Sequence, residues 1–241
     1  CDELELKPDP VISDSLLTDS KQMKIVLSTE AHDAELKYAA GGLTGGDYLP
    51  YIEPIYLDST ARVRAGLFRD GRQLTETRRT YIIHRAFGSR VSYGRSYSPN
   101  YSGGGAYGLV DGRLGSYDYR DTEWQGFLWR DMEAVIDLGE VKPVTSVELR
   151  CLQEVRSWIF MPLSVRWSFS RDGKTFSDTV TVHNRTAADN LETVIHSFRT
   201  GQVPDTVRYI SITAVNRRVC PRWHPGAGGN AWIFSDEVIV R

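Results

Sequence analysis

Cys220, Trp223, His224 and the adjacent carboxylates Asp236 and Glu237 crowd the last stretch of the chain, CPRWHPGAGGNAWIFSDEV. Each residue type supports a different chemistry. A thiol and an imidazole at i and i+4 are compatible with zinc, but a structural zinc site wants four such ligands and no second Cys or His cluster lies nearby in sequence. Paired carboxylates can hydrolyse a glycosidic bond only when they flank it, and the further acids of YDYRDTEW, Asp118, Asp121 and Glu123, are more often solvated surface or ion ligands. The third chemistry is stacking. Trp223 lies between Arg222 and His224 in a loop stiffened by Pro221 and Pro225, with Asn230 just beyond. Aromatic faces take the flat C–H patches of a sugar, while planar donors and acceptors take its hydroxyls. YSPNYSGGGAY adds Tyr97 and Tyr101, and EVRSWIF adds Arg156 and Trp158.

Each aromatic has a purely structural alternative. Trp167 and Trp232 alternate with polar residues and read as core, as does Trp124 in TEWQGF. Trp158 is either packing or platform. Trp223 either faces a ligand or packs between domains or against a missing catalytic domain.

Loop residues of this kind need a rigid frame, and the rest of the chain reads as strands. Segments such as MKIVLST, ARVRAGLF, EAVIDLG, SVELRCL, RYISITAV and EVIVR are short, β-branched or aromatic, and bounded by Gly, Pro, Asp and Asn. In SVRWSFS, Val165, Trp167 and Phe169 fall on one face, as a half-buried strand requires. RDG at 69–71 and again at 171–173 is expected to close hairpins. TAADNLETVIHSF is the one helix candidate. Strands are expected to stop after Ile83, and the Gly, Ser and Tyr-rich residues 85–105 mark a boundary between two all-β sandwiches.

The chain's 29 Lys plus Arg against 31 Asp plus Glu leave a net charge of -2, which favours a small neutral partner over nucleic acid or an anionic membrane. No stretch approaches the roughly 18 to 20 apolar residues of a membrane helix. Three cysteines do not make a disulfide framework, although a Cys151 to Cys220 bridge is open. The opening CDELEL resembles the lipid-bearing start of a mature bacterial surface lipoprotein, the alternative being a piece of something longer. A membrane association would run only through that lipid on Cys1.

In the first half, Ala34 to Gly42, Tyr51 to Leu57 and Val63 to Gly71 resemble the small immunoglobulin-like domain that follows the barrel in bacterial chitobiases and β-hexosaminidases. In the second half, LVDG followed by Trp124, AVIDLG, SRDGKTF and the terminal SDEVIV resemble a discoidin domain, also called coagulation factor 5/8 type C, and in bacteria commonly a family 32 carbohydrate-binding module. Joined, the two resemble the C-terminal tail of glycoside hydrolase family 20 enzymes. The resemblance implies an N-terminal tail at 1–8, an immunoglobulin-like sandwich at 9–84 and a discoidin jelly roll at 85–241.

Several expectations come with it. Family 20 enzymes use an adjacent Asp-Glu, but their surrounding HxGGDE is absent here, so Asp236-Glu237 is not expected to be catalytic. Discoidin-type modules often hold a structural calcium, which implicates Asp111 and Glu237, with Thr122 and carbonyls near Arg113 as additions. The implied function is a non-catalytic region that binds galactose- or N-acetylhexosamine-bearing glycans with terminal Gal, GalNAc or GlcNAc, accessory to a β-N-acetylhexosaminidase and located outside the cell, on its surface or in the periplasm. Its rivals are a structural brace for a missing catalytic domain, a surface adhesion module, and membrane binding through apolar loop spikes.

Overall fold

The computed structural model describes residues 8–43 and 46–241. Cys1, and with it the expected lipid, lies outside the described residues. The chain is all-β: among the described residues, helix is confined to two 3-10 turns, Gly105–Tyr107 and Val155–Ser157. No helix of the described residues is long and apolar enough to cross a membrane. The chain divides into two compact units, one ending at Ile83 and one running from His84 to Arg241.

The first unit has two antiparallel sheets. β1 (Val11–Leu17), β2 (Gln22–Ser28) and β5 (Ile55–Leu57) form one, in the order β1-β2-β5. β4 (Leu49–Pro50), β3 (Glu35–Gly41), β6 (Ala61–Arg69) and β7 (Arg72–Tyr81) form the other, in that order. Alternation sets the faces: Ala61, Val63, Ala65 and Leu67 of β6 are buried, as are Met23, Ile25 and Leu27 of β2 on the other sheet. The first RDG closes the β6–β7 hairpin as expected. Asp70 and Gly71 both take positive φ (50° and 76°), the two-residue turn whose twist matches that of the strands.

The second unit packs a five-stranded sheet on a four-stranded one. The first runs β13 (Val180–His183), β12 (Ser164–Ser170), β15 (Thr206–Ala214), β10 (Met132–Pro143), β8 (Arg90–Tyr93). The second runs β14 (Val194–Thr200), β11 (Val147–Gln153), β16 (Trp232–Val240), β9 (Gln125–Leu128). Register lines up core residues in rows across the larger sheet: Met132, Ala214 and Val165; Ala134, Ile212 and Trp167; Ile136, Ile210 and Phe169. Leu149, Phe198, Val238 and Phe127 of the smaller sheet complete this core. β16 is the central element, with every residue after Trp232 buried.

Three expectations are corrected. TAADNLETVIHSF is a loop followed by β14, because Val194 to Thr200 pairs along the whole of β11. Strands do not stop at Ile83: β8 lies inside the Gly, Ser and Tyr-rich region, where Val91 and Tyr93 pair with Ile136 and Ala134. The second RDG does lie in a hairpin, since β12 and β13 pair antiparallel, but its loop is longer than a two-residue turn and the Asp172 carboxylate accepts from the Lys174 and Thr175 amides in it. Cys151 and Cys220 are both buried free thiols, the first in the main core and the second in a small cluster with Val155 and Phe160.

Candidate functional site

The β11 strand leaves the core at Gln153 and turns back within a few residues. Glu154 and Ile159 exchange backbone hydrogen bonds (3.0 and 3.1 Å), closing a hairpin of Val155, Arg156, Ser157 and Trp158. Trp158 ends that turn in the left-handed region, φ 66°. A bulky residue there costs on the order of 1–3 kcal/mol and persists only where its surroundings hold it. The surroundings are glycines. A Cβ on Gly226 would sit 2.6 Å from the Trp158 ring and one on Gly229 2.9 Å, so these two glycines let the backbone lie close against the indole. Trp158 remains 40% exposed.

That glycine run belongs to the loop connecting β15 to β16. Its base is pinned by buried Asn216, which donates to the Phe127 and Ala231 carbonyls (3.2 and 3.1 Å) and accepts from the Arg218 amide. Higher up, the Cys220 amide donates to Gly229 (2.8 Å) and the Gly228 amide returns to Cys220 (3.1 Å). His224 locks this loop to the hairpin. Its Nδ1 accepts the Gly226 amide at 2.9 Å, so the proton resides on Nε2, which donates to the Val155 carbonyl at 2.8 Å. Trp223, one residue back, is 49% exposed with its edge toward Phe160.

Between these loops lies a cleft of about 460 Å³. Trp158, Trp223 and the ring of His224 form its aromatic lining, Val155, Leu191 and Pro225 its aliphatic lining, and Arg156 and Asp189 its charged groups. Asp189 and Leu191 come from the β13–β14 loop, which Gln153 holds by donating to the Ala187 carbonyl at 2.9 Å. Two half-exposed indoles beside one guanidinium and one carboxylate suit a neutral ligand with apolar faces and polar edges. The lining offers a single carboxylate, and the imidazole has both nitrogens engaged.

The structure thus brings together Trp158, Arg156, Trp223 and His224, residues 65 or more positions apart in sequence across the two loops. His224 is corrected in role: it is buried, and its nitrogens serve the loops rather than a ligand. Arg222 is exposed beside Trp223 but outside the lining, and Asn230 bridges to Val219 at the loop base. Tyr97 packs edge-on against Tyr93 at 5.2 Å beside the core, and Tyr101 packs on Trp232 and Phe234 and lines a different cavity. Asp189 and Leu191 were not anticipated; the polar DN turn inside a segment that reads as helix is the only sequence sign of them.

Asp236 and Glu237 sit where β16 bulges. Leu149 pairs with Val238 and Cys151 with Ser235, so two residues of β16 oppose Arg150 alone. Both side chains are fully buried and serve the 111–116 loop. Asp236 Oδ2 accepts the Gly115 amide and lies 2.8 Å from Arg150 Nη1. Glu237 accepts the Gly112 amide (3.0 Å) and the Nε2–H of His84 (2.7 Å). Burial pushes Asp111 and Asp236 up to about 7, raises Glu237 well above its ordinary value with help from both neighbouring carboxylates, and pushes His84 down to about 3.

These residues do not fit the expected calcium shell. Asp111 and Glu237 do approach one another, but Arg113 gives Asp111 a guanidinium at 3.1 Å and an amide at 3.0 Å, where a carbonyl was expected to face a cation. Both Glu237 oxygens are already engaged, and Thr122 is exposed at the rim of another cavity. Among the described residues, no three His, Cys, Asp or Glu side chains are grouped to hold a metal ion.

No protein-family model and no curated protein sequence matches the chain. Solved structures do resemble it. The lectin domain of lectinolysin, complexed with Lewis B antigen, is 14% identical, with a TM-score of 0.42 over 66% of this chain and 95% of its own. A Streptococcus pneumoniae fucose binding module is 13% identical, with a TM-score of 0.42 over 66% and 98%. The Clostridium perfringens module CpGH89CBM32-4, in complex with GlcNAc-α-1,4-galactose, is 17% identical, with a TM-score of 0.39 over 66% and 92%.

Proposed function

We propose that this chain is a non-catalytic carbohydrate-binding region whose site is the Trp158–Trp223 cleft. One observation carries the reading: two indoles from separate loops are kept half-exposed around one cleft by glycines, prolines and a buried histidine, at the cost of a left-handed Trp158. Kept partly open beside Arg156 and Asp189, they suit a sugar, whose C–H face stacks on an indole and whose hydroxyls meet the guanidinium and the carboxylate.

The ligands we assign are glycans ending in Gal, GalNAc or GlcNAc, with fucosylated ends such as Lewis B also to be tested. The second unit acts as a discoidin-type module. In a longer parent protein it would hold a β-N-acetylhexosaminidase-like domain near its substrate, where tethering supplies what single-site affinity lacks. Such a protein would act outside the cell, at its surface or in the periplasm. A brace role is favoured for the first unit, where Leu49, Ile52 and Tyr56 are exposed.

The test is a glycan array carrying Gal-, GalNAc-, GlcNAc- and Lewis B-terminated glycans, probed with the purified chain and with Trp223→Ala. Binding that the variant loses while its melting temperature stays within a few degrees supports the reading. No binding by the folded wild type at high concentration removes it and leaves the brace.

A further inference from the structure

The cleft does not end at Arg156. A second cavity of about 410 Å³ shares Arg156 with it, and a third of about 220 Å³ shares Tyr119 and Arg120 with the second. We propose that the three form one groove that takes a neutral oligosaccharide lengthwise, with a sugar unit at each station, rather than a single terminal residue. The proposal rests on the carbohydrate reading of the Trp158–Trp223 cleft and deepens it.

Three observations support it. The first is adjacency: Arg156 lines both the first and the second cavity, and Tyr119 and Arg120 line both the second and the third, so the three follow one another along one stretch of surface.

The second is chemistry. The middle cavity again offers aromatics with polar groups: Tyr117 is 65% exposed, and Arg120 lies over the Tyr119 ring at 4.4 Å, leaving that side chain held against its stack. The loop carrying them is fixed by its own carboxylates, Asp118 accepting the Arg120 amide and Asp121 the Glu123 amide. Glu154 lines the same cavity, and its Oε2 is buried with no hydrogen-bond partner among the described residues. An unmatched buried acceptor costs free energy that a donor recovers, and a sugar presents hydroxyl donors at regular intervals.

The third is charge. Arg156 and Arg120 along the groove are outnumbered by the carboxylates of Asp189, Asp118 and Glu154, which argues for a neutral chain over a sulfated or uronic one.

The experiment is calorimetric titration of the full chain with GlcNAc and its β-1,4 oligomers of two to five units, and with galactose and its β-1,4 oligomers. The wild type should bind one series with affinity that rises about tenfold or more from the monosaccharide to the trimer and then levels off. Tyr117→Ala, a surface change, and Glu154→Gln should flatten that rise; Trp223→Ala should abolish binding at every length. If monosaccharide and oligomers bind equally, the groove is not used and the extended site is wrong, although the cleft reading survives. If the affinity rises but Tyr117→Ala and Glu154→Gln leave the rise intact, the extension runs elsewhere and this groove is again excluded. If neither series nor any arrayed glycan binds, both readings fall.

Discussion

The Nε2–H of His224 donates to the backbone carbonyl of Val155 at 2.8 Å. That bond, together with the packing of Gly226 and Gly229 on the Trp158 ring, ties together the two loops that carry Trp223 and Trp158. His224→Ala should cost about 1–3 kcal/mol, because it leaves a buried carbonyl and the Gly226 amide unmatched. It should also weaken glycan binding, although His224 offers the ligand no free nitrogen. Trp223→Ala should abolish binding with much less loss of stability. Thermal melts alongside titrations check the contrast; the account is wrong about His224 if its removal leaves the melt unchanged.

Gly226 and Gly228 separate two roles of the glycine run. A methyl on Gly226 meets the Trp158 ring at 2.6 Å, so Gly226→Ala should displace the indole and lower affinity at least several-fold. Gly228 has open space around it but φ +79°. Gly228→Ala should cost about 1 kcal/mol of stability through backbone strain and leave the indole in place. Near-ultraviolet circular dichroism and sugar titration of both variants read the difference.

The buried acids make a pH prediction with an unusual sign. Asp111 and Asp236 are raised from an ordinary 3.8 to about 7, so the folded state holds protons that the unfolded state has released. Their contribution is present below pH 4 and is lost as pH rises through 7. His84 works the other way: held down to about 3, it favours the fold above pH 6.5 and loses that contribution as pH falls. These carboxyls, with Glu237 also raised, outweigh one imidazole between pH 4 and 6.5, and above that only the carboxyls count, while Arg113 and Arg150 stay charged throughout. The second unit should melt several degrees higher at pH 5.5 than at pH 8. Calcium or a chelator at pH 7.5 should leave the melt unchanged. A calcium-dependent rise at that pH would show that Arg113 gives way to a metal ion.

The strand frame was legible because most strands bury one face: the period-two pattern of SVRWSFS or EAVIDLG reports burial directly. The exceptions have physical causes. Gln125 to Phe127 of β9 are all buried, which erases the alternation, and β8 is short and flanked by Gly and Ser. β14 was concealed because Leu191, Val194, Ile195 and Phe198 fall at helical spacing, although pairing with β11 decides the outcome. In the site, Trp223, Trp158 and Arg156 were visible as aromatic and planar groups in loops. Asp189 and Leu191 were not, since only the fold carries the β13–β14 loop to them. His224 was visible by type and misleading by role, because burial and two backbone partners are not written in its neighbours.

The central claim is that a sugar stacks on Trp158 and Trp223. Its most direct measurement is titration of the uniformly ¹⁵N-labelled chain with the best array hit, following the indole N–H signals of its six tryptophans. The account predicts that the signals of Trp158 and Trp223, assigned by substitution, move saturably while those of buried Trp124 and Trp167 stay fixed. Saturable binding with both cleft indoles unmoved would contradict it and place the sugar elsewhere on the molecule.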